Sequence, residues 1–160
     1  MSVKVRIYDK QKIIKLTPEM RNLIRKSCSA VLKCENIAGD FEVEVSVVDD
    51  EQIRVINNDC RGIDSATDVL SFPLSENGEF DINPETGAFM LGDIVISMEH
   101  AIGQADLYGH GTAREIAYLT VHSMLHLLGY DHVNSEDERA VMRAHEEAVL
   151  KVLELTVNKE

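Results

Sequence analysis

The sequence has no apolar run near the ~20 residues that a membrane-spanning helix needs, which rules out a helical span. Its first residues, MSVKVRIYDKQK, alternate apolar and charged side chains, so they read as a strand and not as a secretory signal. Cysteine is scarce: Cys28, Cys34 and Cys60 are odd in number and form no C-x-x-C pair, which argues against a disulfide framework. Two of them fall on a predicted helix, where a buried free thiol is the ordinary reading, and a reducing cytoplasm is the expected compartment. There is no internal repeat, no low-complexity tract and no linker, so residues 1–160 are expected to form one domain. Basic charge is also short, and the net charge of −12 argues against a general polyanion binder.

What is present is the composition of an ordinary globular protein, 44% hydrophobic with charges interspersed. A chain of this length buries roughly two thirds of its unfolded surface. The charge is unevenly spread. Residues 1–33 hold nine Lys or Arg against Asp9 and Glu19, a net of +7, and the remaining residues carry seven against 26, a net of −19. Such asymmetry can raise a positive face on an acidic protein; a solvated helix face is the plainer alternative.

The chain alternates strand and helix patterns. VKVRIY (3–8) has period two; Thr17-Pro18-Glu19 starts a helix, with Thr17 as cap, that runs to about Glu35. FEVEVSVV (41–48) is a second strand, and Asp49 with Gln52 caps a helix through about Asn57. DVLSFP (68–73) is a strand, SENGEFDINPETG (75–87) a long turn-rich hairpin loop, and LGDIVIS (91–97) the returning strand. Ser97 caps a helix through about Leu107, TAREIAYLTVHSMLHLL forms a helix ended by Gly129, and Ser135 with Glu138 opens a last helix over about 136–155. The expected class is α+β: one small mixed sheet of about four strands packed with five or so helices, the histidine-bearing helix in the core.

Three of the six histidines lie within HSMLHLLGYDH (122–132). His122 and His126 are four apart on a helix, so both imidazoles project from one face about 6 Å apart and suit one zinc ion at ~2.0–2.1 Å each. Gly129 allows the chain to reverse and carry His132 back to the same ion. Three protein ligands leave a fourth position open, the arrangement of a catalytic zinc and not of a closed structural one. Other divalent transition metals suit the same donors. Zinc peptidases with a His-Glu-x-x-His helix keep a glutamate base where this chain has Ser123, and Glu115 lies roughly 10 Å away along the axis. Peptide hydrolysis by that mechanism is therefore disfavoured.

HSMLHLLGYDH resembles the His-Gly-x-x-His-x-x-Gly-Tyr-Asp-His signature of the YbeY family, single-metal endoribonucleases of ribosomal RNA maturation. INNDCRGIDSATDVLSFP (56–73) is similar to the family's Leu-Asn-x-x-Tyr-Arg-x-x-Asp-x-x-Thr-Asp-Val-Leu-Ser-Phe-Pro segment, and LGDIVIS to its Gly-Asp-Ile strand. Ser123, Ile56 and Cys60 depart from the signature's glycine, leucine and tyrosine. The resemblance implies His122, His126 and His132 as zinc ligands and Arg61 as the catalytic arginine. A guanidinium suits the charge developing on a phosphoryl group. The plainer reading of Arg61 is an ion pair with Asp64 or Asp68. Thr67 and Asp68 are expected to shape the loop, and Asp131 either orients a ligand or simply makes a turn. His100 and His110 read as surface or capping residues, and His145, among Arg143, Glu146 and Glu147, as part of a solvated face.

The function implied is a zinc-dependent endoribonuclease that cleaves RNA phosphodiesters, in maturation of the 16S ribosomal RNA 3′ end and in ribosome quality control. Its expected partners are ribosomal RNA or ribosomal particles, with ribosomal proteins or a GTPase as further candidates, and no membrane. The rivals are a non-catalytic ribosome-assembly factor with a structural zinc, and a metal-dependent hydrolase of another substrate.

Overall fold

The computed structural model describes residues 2–75, 79–130 and 135–157, with side chains as far as residue 154. The elements run β1 (Ser2–Asp9), α1 (Pro18–Cys34), β2 (Asp40–Val48), α2 (Asp50–Arg61), β3 (Val69–Pro73), β4 (Asp81–Ile82), β5 (Phe89–Ser97), α3 (Met98–Tyr108), α4 (Thr112–Leu127) and α5 (Glu136–Val157). The strands form one mixed sheet in the order β1-β2-β5-β3. β1 and β2 are parallel, as are β2 and β5, whereas β3 and the short β4 run antiparallel to β5. This is the expected α+β arrangement with one strand more than the sequence suggested. β4 lies inside the segment predicted as loop, where Asp81 and Ile82 pair with Met90 and Phe89.

The helix starts follow from side chains that satisfy otherwise orphaned N–H groups. Thr17 Oγ1 accepts from Met20 N at 3.2 Å, and Asp49 and Gln52 close both arms of a capping box at 2.8 and 2.9 Å. Ser97 Oγ accepts from His100 N, and Ser135 Oγ from Glu138 N. α2 runs to Arg61, four residues past the predicted end, and stops at Gly62 with φ 71°. The asparagines there are weak helix formers, but Asn57 is buried and its Nδ2 donates to Ser65 O at 2.9 Å, which ties the extra turn down.

Alternation divides the sheet. Phe41, Val43, Val45 and Val47 of β2 face the main core with Leu91, Ile94 and Ile96 of β5, while α1 and α4 cover that side. Leu91 and Ile94 are an odd number of residues apart, yet both are fully buried. The register shift against Glu42/Val43 absorbs the extra residue and keeps the strand in phase. Val48, Ile53, Leu70 and Val95 make a second, smaller cluster under α2. The histidine-bearing α4 is a core helix: Ile116, Leu119, Val121, Met124, Leu125 and Leu127 are all fully buried.

Candidate active site

α4 buries most of its surface but leaves His122 and His126 half-buried on one edge. Their Nε2 atoms face each other at 3.1 Å. Each ring is held from behind. His122 Nδ1 donates to Glu146 Oε1 of α5 at 2.5 Å, and His126 Nδ1 donates to the carbonyl of Tyr130 at 2.9 Å. That second bond depends on the turn after α4. Gly129 takes φ 106°, and Tyr130 N bonds back to Leu125 O, which returns the Tyr130 carbonyl over the helix end.

A neutral imidazole that donates from Nδ1 keeps its lone pair on Nε2. Two such lone pairs facing each other repel unless something positive lies between them. Nitrogens bound at ~2.0–2.1 Å to one tetrahedral zinc lie roughly 3.3 Å apart, so the observed pair fits that ion closely. Orientation of each ligand by a carboxylate or a carbonyl is also the usual arrangement around metal-bound histidine. His132 and Asp131 lie outside the described residues, and among the described residues no three His, Cys, Asp or Glu groups converge as a metal cluster.

The histidine pair opens into a cleft of about 540 Å³ lined by Arg61, Thr67, Asp68, Val69, Leu70, Ser71, Pro73, His122, His126, Gly129 and Tyr130. Arg61 ends α2 and is exposed at this cleft. The two acids offered as its partners are engaged elsewhere. Asp64 pairs with Arg54, which also binds Glu51 at 2.5 Å. Asp68 Oδ1 accepts from Val69 N at 2.8 Å, and its Oδ2 accepts from Gln104 Nε2 at 3.3 Å. Among the described residues Arg61 therefore has neither ion pair. No cysteine lines the cleft; Cys60 is exposed, and burial pushes the Cys28 thiol up to about 12.

A family model described as Endoribonuclease YbeY matches residues 6–154. The chain belongs to this family. A YbeY of Caldanaerobacter subterraneus is 52% identical over 138 residues, 83% of this chain and 87% of that protein. One from Clostridium botulinum is 43% identical over 162 residues, 93% of this chain and 97% of the relative. The solution structure of TM1509 from Thermotoga maritima superposes with a TM-score of 0.58 at 26% identity, covering 98% and 96% of the two chains. Membership gives the chain a nuclease role in RNA processing in general terms.

Two of the three matching segments meet in this cleft: the 56–73 segment supplies Arg61 and the β3 wall, and the histidine segment supplies the pair. Ser123 does not itself line the cleft. It is fully buried and bonded at 2.9 Å to Ser71, which does, so its hydroxyl joins α4 to β3. His110 and His100 each hold a carboxylate, Glu115 at 2.7 Å and Asp50 at 2.6 Å, consistent with local structural roles.

Two side chains of the last helix hold specific partners: His145, still partly exposed, and the buried Glu146. His145 Nδ1 bonds Glu35 Oε2 at 2.7 Å, while Tyr130 O–H donates to the other Glu35 oxygen and its ring lies 4.7 Å from that of His145. Glu146 is 6% exposed and holds His122. The signal for Glu146 was present in the sequence. It shares the stripe of Met142, Val149 and Leu153, all buried, and a carboxylate on an apolar stripe needs a partner.

Proposed function

We propose that residues 1–160 act as one zinc-dependent endoribonuclease domain in the cytoplasm, on ribosomal RNA precursors, with His122, His126 and His132 as ligands and Arg61 as the catalytic arginine. The observation that carries this reading is the facing Nε2 pair at 3.1 Å, each ring fixed from behind, in a cleft that also holds Arg61. Zinc bound there supplies Lewis acidity toward a phosphoryl oxygen and lowers the pKa of water toward 7.

The chain's own groups then divide the work. The Glu146 carboxylate and the Tyr130 carbonyl orient the two rings. Arg61, at the C-terminal end of α2, presents a guanidinium that meets the charge developing on the phosphoryl group. Asp68, tied to Val69 and Gln104, shapes the wall opposite. The open cleft favours a catalytic over a purely structural metal, and Ser123 buried against Ser71 offers no base for a peptidase. Cleavage at the 16S 3′ end and contact with ribosomal proteins or a GTPase are the finer reading that family membership supports.

The test is a cleavage assay on a structured ribosomal RNA fragment with measured zinc content, using wild type, Arg61→Ala and His126→Ala. Arg61→Ala is expected to keep zinc and lose roughly 10²–10³-fold in rate. His126→Ala is expected to lose both, which also excludes a contaminating nuclease. Full cleavage by Arg61→Ala contradicts the proposed mechanism. Loss of zinc and fold together in both variants favours a structural metal.

A further inference from the structure

Glu146 has few reasons to be where it is except to hold something. Its helical neighbours on the same stripe, Met142 and Val149, are buried and apolar, and it is itself only 6% exposed. A carboxylate so placed must be hydrogen-bonded to remain charged. Among the described residues its hydrogen-bond partner lies on α4: His122 Nδ1 donates to it at 2.5 Å. Tyr118 and His122 are four residues apart, with ring centroids 6.1 Å apart and planes inclined by 30°.

The two histidines are not held alike. The acceptor behind His126 is a backbone carbonyl, which no substitution deletes, whereas the acceptor behind His122 is one side chain from a different helix. We propose that Glu146 is a positioning residue of the zinc site: it holds His122 in the tautomer whose Nε2 faces His126. This inference rests on the zinc reading above. It makes α5 part of the site, although none of the motifs that mark the site reaches beyond residue 132.

The consequence is an asymmetry in zinc affinity that a mere tie between helices does not produce. The experiment titrates zinc into metal-free wild type, Glu146→Ala, Glu146→Gln and Tyr118→Phe against a chromophoric chelator, and records Tm with and without zinc. Glu146→Ala is expected to weaken zinc binding by roughly 10–100-fold and to shrink the zinc-induced rise in Tm. Glu146→Gln keeps an acceptor oxygen without the charge and is expected to fall between Glu146→Ala and wild type; Tyr118→Phe is expected to shift affinity less. A lower metal-free Tm with unchanged zinc affinity in Glu146→Ala overturns the proposal and leaves a structural tie. If that variant does not fold, unchanged affinity in Glu146→Gln overturns it equally. A wild type that binds no zinc overturns the zinc reading itself, and this inference with it.

Discussion

Ser123 stands at the signature's glycine position, and its hydroxyl is bonded to Ser71 inside the α4–β3 contact. Ser123→Ala leaves Ser71 Oγ without that partner but within reach of cleft water, so it should cost about 1 kcal/mol. Ser123→Gly should cost about 1 kcal/mol more, because glycine loosens a helix interior. Urea unfolding of the metal-free protein measures both, and zinc affinity should not move. Zinc loss in Ser123→Ala would put the serine back beside the metal. The residues of the site were unevenly legible in sequence. His122 and His126 could be read because a four-residue spacing and a following glycine are local facts. Glu35, Tyr130 and His145 meet from three separate elements, 95 to 110 residues apart for the pairs that include Glu35, and no local pattern announces such a cluster.

At the scale of elements, β5 is the hinge of the architecture, since β2, β3 and β4 all pair with it. Gly92 makes that possible. Its φ is 142°, and a Cβ there would lie 2.2 Å from the Phe72 carbonyl oxygen and 3.0 Å from Leu127 of α4. Gly92→Ala should therefore cost more than about 3 kcal/mol, combining left-handed strain with displaced backbone, and should lower Tm by several degrees. A variant as stable as wild type would mean that β3 shifts freely. The glycine of the Gly-Asp-Ile match was visible in sequence; its reason, close approach of β3 and α4, was not. The two-residue β4 was hidden because Asp81 and Ile82 sit among turn formers, and the loop is held by tertiary bonds instead. Glu42 of β2 accepts from Thr86 at 2.7 Å, Asn83 at 3.0 Å and Arg6 at 3.2 Å. These bonds, Thr86 first, bring its carboxyl down from 4.5 to about 2. A lowered carboxyl stabilises the fold above its ordinary value and loses that contribution as pH falls from about 4.5 toward 2. Beside it, burial and then Glu44 raise Asp93, so protonating Asp93 favours the fold as pH falls. Glu42→Gln should flatten the acid limb of a Tm-against-pH curve, and an unchanged limb would show that the loop is not held through this charge.

For the whole molecule the question is how a protein of net charge −12 approaches RNA at all. Part of its basic charge is already spent within the fold: Arg6 on Glu42, Arg54 on Glu51 and Asp64, Arg114 on Glu154. Lys10, Lys12 and Lys15 are different, being exposed on the loop between β1 and α1. That loop is built around the buried Gln11. Its Oε1 accepts from Ile13 N at 2.8 Å and Ile14 N at 3.3 Å, and its Nε2 donates to Ile14 O at 2.8 Å. The lysines are thus carried on an ordered turn, and meeting phosphate there costs little further backbone entropy. On the proposed RNA reading, this loop is the first surface to test for backbone contact. Each phosphate contact steepens the fall of log K with log salt by ~0.7–0.9. Lys12→Glu with Lys15→Glu should weaken binding of a structured RNA at low salt and flatten that slope by about 0.7–0.9 per contact removed, with zinc affinity unchanged. Fluorescence anisotropy over a salt series measures it. A slope identical to wild type would mean that the RNA does not cross this loop, and the search would move to Arg21 and Arg25 on the outer face of α1.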